Sequence, residues 1–110
     1  MQAIIKQHLS AIRQLCVRHQ VKRLWVFGSV LTDDFSADSD IDFLYEFDEA
    51  NLTHEAELDN LLAMIAGLQR LLGRPVDFVW YGGLSNPYFK AEVDAQKWLV
   101  YEQKSEEVPV

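Results

Sequence analysis

The stretch FGSVLTDDFSADSDIDFLYEF, residues 27–47, closes one apolar run with a Gly-Ser pair and opens the next with Asp-Ile-Asp. Ten residues separate Ser29 from Asp40. Strand side chains alternate faces, so Asp40 and Asp42 point one way and Ile41 the other, with the two Asp Cα atoms roughly 6–7 Å apart. Two carboxylates aimed into a dry core suffer desolvation and repel each other, which raises at least one pKa unless a cation lies between them. Mg2+ suits such an all-oxygen site, because it keeps waters and phosphates in its shell. The other reading these residues allow is a solvated pair at a strand end in an acidic, turn-rich region. Gly28-Ser29 bears on that choice. A glycine at a strand end lets the backbone approach a ligand, and the N–H groups that follow, with the Ser29 hydroxyl, suit a phosphate.

The surrounding chain reads as alternating helices and strands. Ile5, Leu9, Ile12 and Cys16 lie along one helical face, predicting an amphipathic helix over residues 2–19. RLWVF (23–27) predicts a strand buried on both faces that ends at the Gly-Ser, and DIDFLYEF (40–47) predicts a second. Leu58, Leu61, Leu62, Ile65, Leu68 and Leu72 recur at helical spacing, so a core-facing helix is expected over 54–72, capped by Thr53 and closed by Gly73. RPVDFVWY (74–81) predicts a third strand, with Pro75 tolerable at its start and Asp77 at its middle. A GGLSNP loop, a helix over 87–96 and a short edge strand WLVY (98–101) complete a single domain expected over residues 1–103, followed by a frayed tail over 104–110.

Composition narrows the function classes. Seventeen acidic residues against ten basic ones leave a net charge of −7, which repels phosphate backbones and makes a nucleic-acid partner unlikely. No apolar run approaches the ~20 residues that span a bilayer, and no signal-peptide pattern opens the chain, so a cytoplasmic protein without membrane contact is expected. Cys16 is the one cysteine, which removes disulfides and cysteine-rich zinc sites. His8, His19 and His54 lack metal-ligand spacing and read as surface or helix-end residues. Asp33, Asp34 and Asp38 read as solvated turn acids, and Trp25, Trp80 and Trp98 as core or interface packing.

A phosphate cradle at Gly28-Ser29 facing Asp40, Asp42 and a third strand's Asp77 describes a two-metal site for phosphoryl or nucleotidyl transfer. Gly-Ser, ten residues, then Asp-x-Asp resembles the signature of the polymerase β-like nucleotidyltransferases, most closely their minimal bacterial branch, the MNT domains paired with HEPN toxins. The likeness extends through GRPVDFV (73–79) and NPYFKAEVDAQKWLVY (86–101). That resemblance implies an α/β (α+β) fold, a small mixed sheet with helices packed against it. It assigns the triphosphate to Gly28 and Ser29, two Mg2+ ions to Asp40, Asp42 and Asp77, and activation of the acceptor hydroxyl to Asp77. ATP is the nucleotide it implies, and a HEPN-type toxin the leading partner, with a self-dimer second. One departure stands out: the branch often carries Arg-Ala-Arg-Gly after the Gly-Ser, and Val30-Leu31-Thr32-Asp33 stands here.

Other phosphate chemistries fit less well. No Gly-Lys occurs anywhere, which excludes a P-loop. A haloacid-dehalogenase-like phosphatase would end its first strand on Asp-x-Asp and place Thr or Val two residues later, whereas Leu44 stands there and the pair begins a strand. Asp-x-Asp glycosyltransferases are far longer domains. The serious rival is a binding module that neutralises a toxin by complex formation without turnover, which the missing basic residues after Ser29 favour.

Overall fold

In the computed structural model, which describes residues 3–104, the chain runs α1 (Ala3–Arg18), β1 (Val21–Phe27), β2 (Ile41–Phe47), α2 (His54–Leu72), β3 (Val76–Trp80), α3 (Pro87–Gln96) and β4 (Trp98–Glu102). Short 3-10 turns occupy Gly28–Leu31 and Tyr81–Gly83. The end of the expected tail, past Lys104, lies outside the described residues. The predicted start of α1 at residue 2 does too.

Local chemistry accounts for the helix boundaries. The Thr53 hydroxyl accepts from the Ala56 N–H at 3.1 Å, and Gly73, at φ 67°, donates its N–H to the Gln69 carbonyl at 2.9 Å. Pro87 opens α3 at a position where no helical N–H partner is lost, and the Asn86 side chain caps the Tyr88 and Phe89 N–H groups at 2.9 and 3.1 Å. Both helices have the predicted bounds.

The strands form one mixed sheet in the order β3-β2-β1-β4. β1 pairs antiparallel with β2 and with β4, while β2 and β3 run parallel, connected by α2. Helices α1 and α2 cover one face. There Ile5, Ile12 and Cys16 meet Leu24, Val26, Ile41, Phe43, Met64, Leu68 and Val100 in the main core. Helix α3 lies against the other face, where Val93 packs with Trp25 and Leu44. With Leu24, Trp25 and Val26 all buried, β1 is covered on both sides as its sequence predicts, although it starts two residues earlier, at Val21.

One expectation about apolar residues needs correction. Leu58 and Leu62 are 57% and 59% exposed, so only part of the leucine-rich face of α2 reaches the core. Trp80 and Trp98, on the two edge strands, are also exposed, and Trp25 alone of the three tryptophans is buried. Among the described residues no helix is long and apolar enough to cross a membrane.

Candidate active site

The register of the sheet builds the site in rows. On the α3 side, Trp25 pairs with Leu44 and Leu44 with Val79. The next row holds Phe27, Asp42 and Asp77, Asp42 being the partner of both neighbours. Val93 of α3 covers the apolar row, while Asp42 is half-buried and Asp77 exposed. Ile41 is fully buried on the opposite face, the alternation expected of Asp-Ile-Asp. β2 itself begins at Ile41, and Asp40 stands exposed just before it. β3 is an edge strand, and Asp77 is open to solvent beside Asp42.

Gly28 has two independent reasons to be glycine. Its φ is +75°, a left-handed conformation that other residues adopt only under strain, and a Cβ on it would run into Asp42 Oδ2. The backbone at the end of β1 therefore lies directly against the carboxylate row. Gly73 shares the left-handed φ, but a Cβ there would meet nothing within 4 Å, so it separates the two effects. Gly73→Ala is expected to cost about 1 kcal/mol from backbone strain alone, and Gly28→Ala roughly 2 kcal/mol or more because Asp42 must also move. Urea unfolding of the two variants measures the difference; equal losses would mean that Asp42 is not held against Gly28.

After Gly28 the chain takes one 3-10 turn, whose first N–H groups have no partner within the turn itself. The Ser29 carbonyl accepts both the N–H and the hydroxyl of Thr32, at 2.9 and 3.0 Å. Val30 is fully buried in the main core, and Leu31 packs against it. Val30 and Leu31, the apolar half of the run after the Gly-Ser, thus anchor the turn to the core. Asp33, Asp34 and Asp38 are exposed loop residues, as expected.

Electrostatics single out Asp42. Its pKa is pushed up from 3.8 to about 6, first by burial, then by a hydrogen bond shared with Asp77, then by the charges of Asp77 and Asp40. All three predicted carboxylates thus act on one point. Among the described residues no three His, Cys, Asp or Glu side chains form a ready-made metal cage. The donor set nonetheless fits a hard cation that takes one or two carboxylates and completes its shell with water and phosphate oxygens. Such a cation would offset the burial and the neighbouring carboxylates that raise the Asp42 pKa. Across the apolar row, α3 is tied down by groups with no sequence pattern to mark them. Asp94 Oδ1 accepts from the Tyr81 hydroxyl at 2.7 Å and from Lys97 Nζ at 2.8 Å, and the Tyr81 ring lies 5.0 Å from that of Trp25.

The chain is similar to known proteins in sequence and in fold. A family model described as a nucleotidyltransferase domain matches residues 5–107. Two proteins of Methanocaldococcus jannaschii, each provisionally named a protein adenylyltransferase, are 31% identical over 98 residues and 32% identical over 99, covering 89% of this chain and 90% of their own. A solved structure provisionally described as a minimal nucleotidyltransferase is 32% identical and superposes with a TM-score of 0.69, over 86% of this chain and 90% of that one. Two toxin–antitoxin structures contain the same fold at lower identity. One, solved with AMP-PNP, matches with a TM-score of 0.63 at 18% identity, over 89% of this chain and 76% of its own. The other, a tri-AMPylated Shewanella oneidensis HEPN toxin in complex with an MNT antitoxin, matches with a TM-score of 0.58 at 17% identity, over 89% and 72%.

Proposed function

The chain belongs to the nucleotidyltransferase domain family, and from that membership we propose a Mg2+-dependent cytoplasmic enzyme that moves AMP from ATP onto a hydroxyl of a partner protein, as the antitoxin of a HEPN toxin. The observation that carries this reading is the in-register pairing of Asp42 with Asp77, directly against Gly28. The relatives named as protein adenylyltransferases support the reaction type, and the toxin–antitoxin structures support the kind of partner.

Asp40, Asp42 and Asp77 are the residues that would hold two Mg2+ ions. Those ions, when bound, neutralise the triphosphate and polarise the α-phosphate for in-line attack. Gly28 and Ser29 take the phosphates through backbone N–H groups and the Ser29 hydroxyl. Asp77, exposed at the sheet edge, accepts the proton of the incoming hydroxyl, whose oxygen bonds to the α-phosphorus as pyrophosphate leaves. Residues 1–103 are read as a single minimal domain, and a HEPN-type partner protein as the chain that helps enclose this row, with a second copy of the chain as the alternative.

Incubation with α-phosphate-labelled ATP, Mg2+ and a HEPN-type partner tests the proposal. Label on the partner, with pyrophosphate released, is the expected result. A partner that is bound and neutralised but never labelled would decide for the binding module, the reading that Val30 and Thr32 favour by standing where the resembled branch often carries arginine. Ser29→Ala should weaken Mg2+-dependent ATP binding by about 1–2 kcal/mol with an unchanged melting temperature. A variant that melts early but binds ATP normally would reassign Ser29 to the fold.

A further inference from the structure

We propose that Arg74 is the positioning residue that sets Asp40 against Asp42 and Asp77; the inference rests on the nucleotidyl-transfer reading of the site. Arg74 lies between Gly73, which ends α2, and Pro75, which precedes β3. Its Nη1 donates to the Ser36 carbonyl at 3.1 Å and to the Ser39 carbonyl at 3.0 Å. Its guanidinium carbon stands 4.6 Å from the centre of the Phe35 ring. One residue on, the Pro75 carbonyl accepts the Ile41 N–H at 3.2 Å. Asp40 is thus flanked by two anchored residues, Ser39 and Ile41, both tied to the segment that leads two residues later into Asp77.

Hydrogen bonds between Ser36 and Ser39 shape the loop internally and do not fix it to the sheet. The Ser36 N–H donates to Ser39 Oγ at 3.0 Å, and the Ser39 N–H to the Ser36 carbonyl at 3.1 Å. Asp40 is exposed, so packing does not hold it. Arg74 stands near a loop with four Asp residues, at 33, 34, 38 and 40, yet the ion pairs among the described residues are those of Arg23 and Lys97. Its Nη1 serves both backbone carbonyls while the guanidinium carbon stands over an aromatic face, so one group at the end of a long side chain ties the loop in two ways. The role is geometric. An error of about 1 Å in a reacting group costs on the order of 100-fold in rate, which makes such a tether consequential.

Arg74→Met keeps the apolar contact with Phe35 and removes the donors; Arg74→Lys keeps the charge and loses the guanidinium that stands over Phe35. Amide exchange at Ser39 and Ile41, followed by NMR, reads the loop without any ligand. Calorimetric ATP titration with and without Mg2+ reads the site. Arg74→Met should exchange about tenfold faster at Ile41 and bind ATP about tenfold more weakly in Mg2+, with little change in EDTA, and Arg74→Lys should recover part of both. Because Arg74 acts through Asp40, Arg74→Met/Asp40→Asn should bind no worse than Asp40→Asn alone. Additive losses in that double variant, or a Met variant with wild-type exchange and affinity, overturn the inference while leaving the site reading intact. Wild-type protein without Mg2+-dependent ATP binding overturns the site reading and this inference with it. Should the Met variant fail to fold, the Lys variant carries the test, and wild-type exchange and affinity in it overturn the inference that the Arg74 guanidinium sets Asp40.

Discussion

Asp42→Asn is expected to make the metal-free protein more stable at neutral pH and, in the same molecule, to remove Mg2+-dependent ATP binding. Burial, then Asp77, then Asp40 raise the Asp42 pKa from 3.8 to about 6. Below pH 3.8 the folded and unfolded chains both carry the proton, and Asp42 costs nothing. Between pH 3.8 and 6 the unfolded chain releases it while the folded chain retains it, so stability falls as pH rises. Above pH 6 the folded protein bears the full penalty of an ionised carboxylate among carboxylates. The shift alone corresponds to about 3 kcal/mol, but Asp42 is only half-buried and solvent screening reduces this to roughly 1 kcal/mol. In a domain of this size that is about 4–8 °C in melting temperature. The gap between Asn variant and wild type should therefore be absent near pH 3.5 and widest above pH 6. Mg2+ should narrow it by stabilising the wild type alone. An Asn variant no more stable than wild type at pH 7.5, or one that still binds ATP in a Mg2+-dependent manner, would refute the account of Asp42.

Asp77→Asn separates binding from chemistry. Asp77 sits on the edge strand, open to solvent and paired with the half-buried Asp42, the more accessible of the two to an incoming acceptor hydroxyl under the proposed reaction. A general base contributes about 10²–10⁴ in rate. The Asn variant should keep ATP binding within a few-fold of wild type while label transfer from α-phosphate-labelled ATP to a HEPN-type partner falls by that factor. Transfer at the wild-type rate would take Asp77 out of the mechanism. Loss of ATP binding together with transfer would make it a metal ligand first and a base second.

Both predictions depend on contacts that differ in how far sequence alone reaches them. The bounds of α2 and α3 were readable because Thr53, Gly73, Asn86 and Pro87 act on backbone groups within four residues of themselves. The division of Asp42 from Ile41 was readable for the same reason, since alternation in a strand is a property of the chain itself. The proposed chemistry rests on those local facts set beside Gly28-Ser29 and Asp77. What neighbours more than ten residues away supply was not readable. The alignment of Asp42 with Asp77 depends on how α2 returns the chain to a parallel β3, and the collision that keeps Gly28 a glycine depends on the register of β1 against β2. Leu58 and Leu62 fit the helical pattern but are left exposed, because periodicity assigns a residue to a face and not to a covering neighbour. Arg74 carries no spacing signal at all: its partners are backbone carbonyls 35 and 38 residues away, which have no residue type to read, and only the folded chain brings them to it.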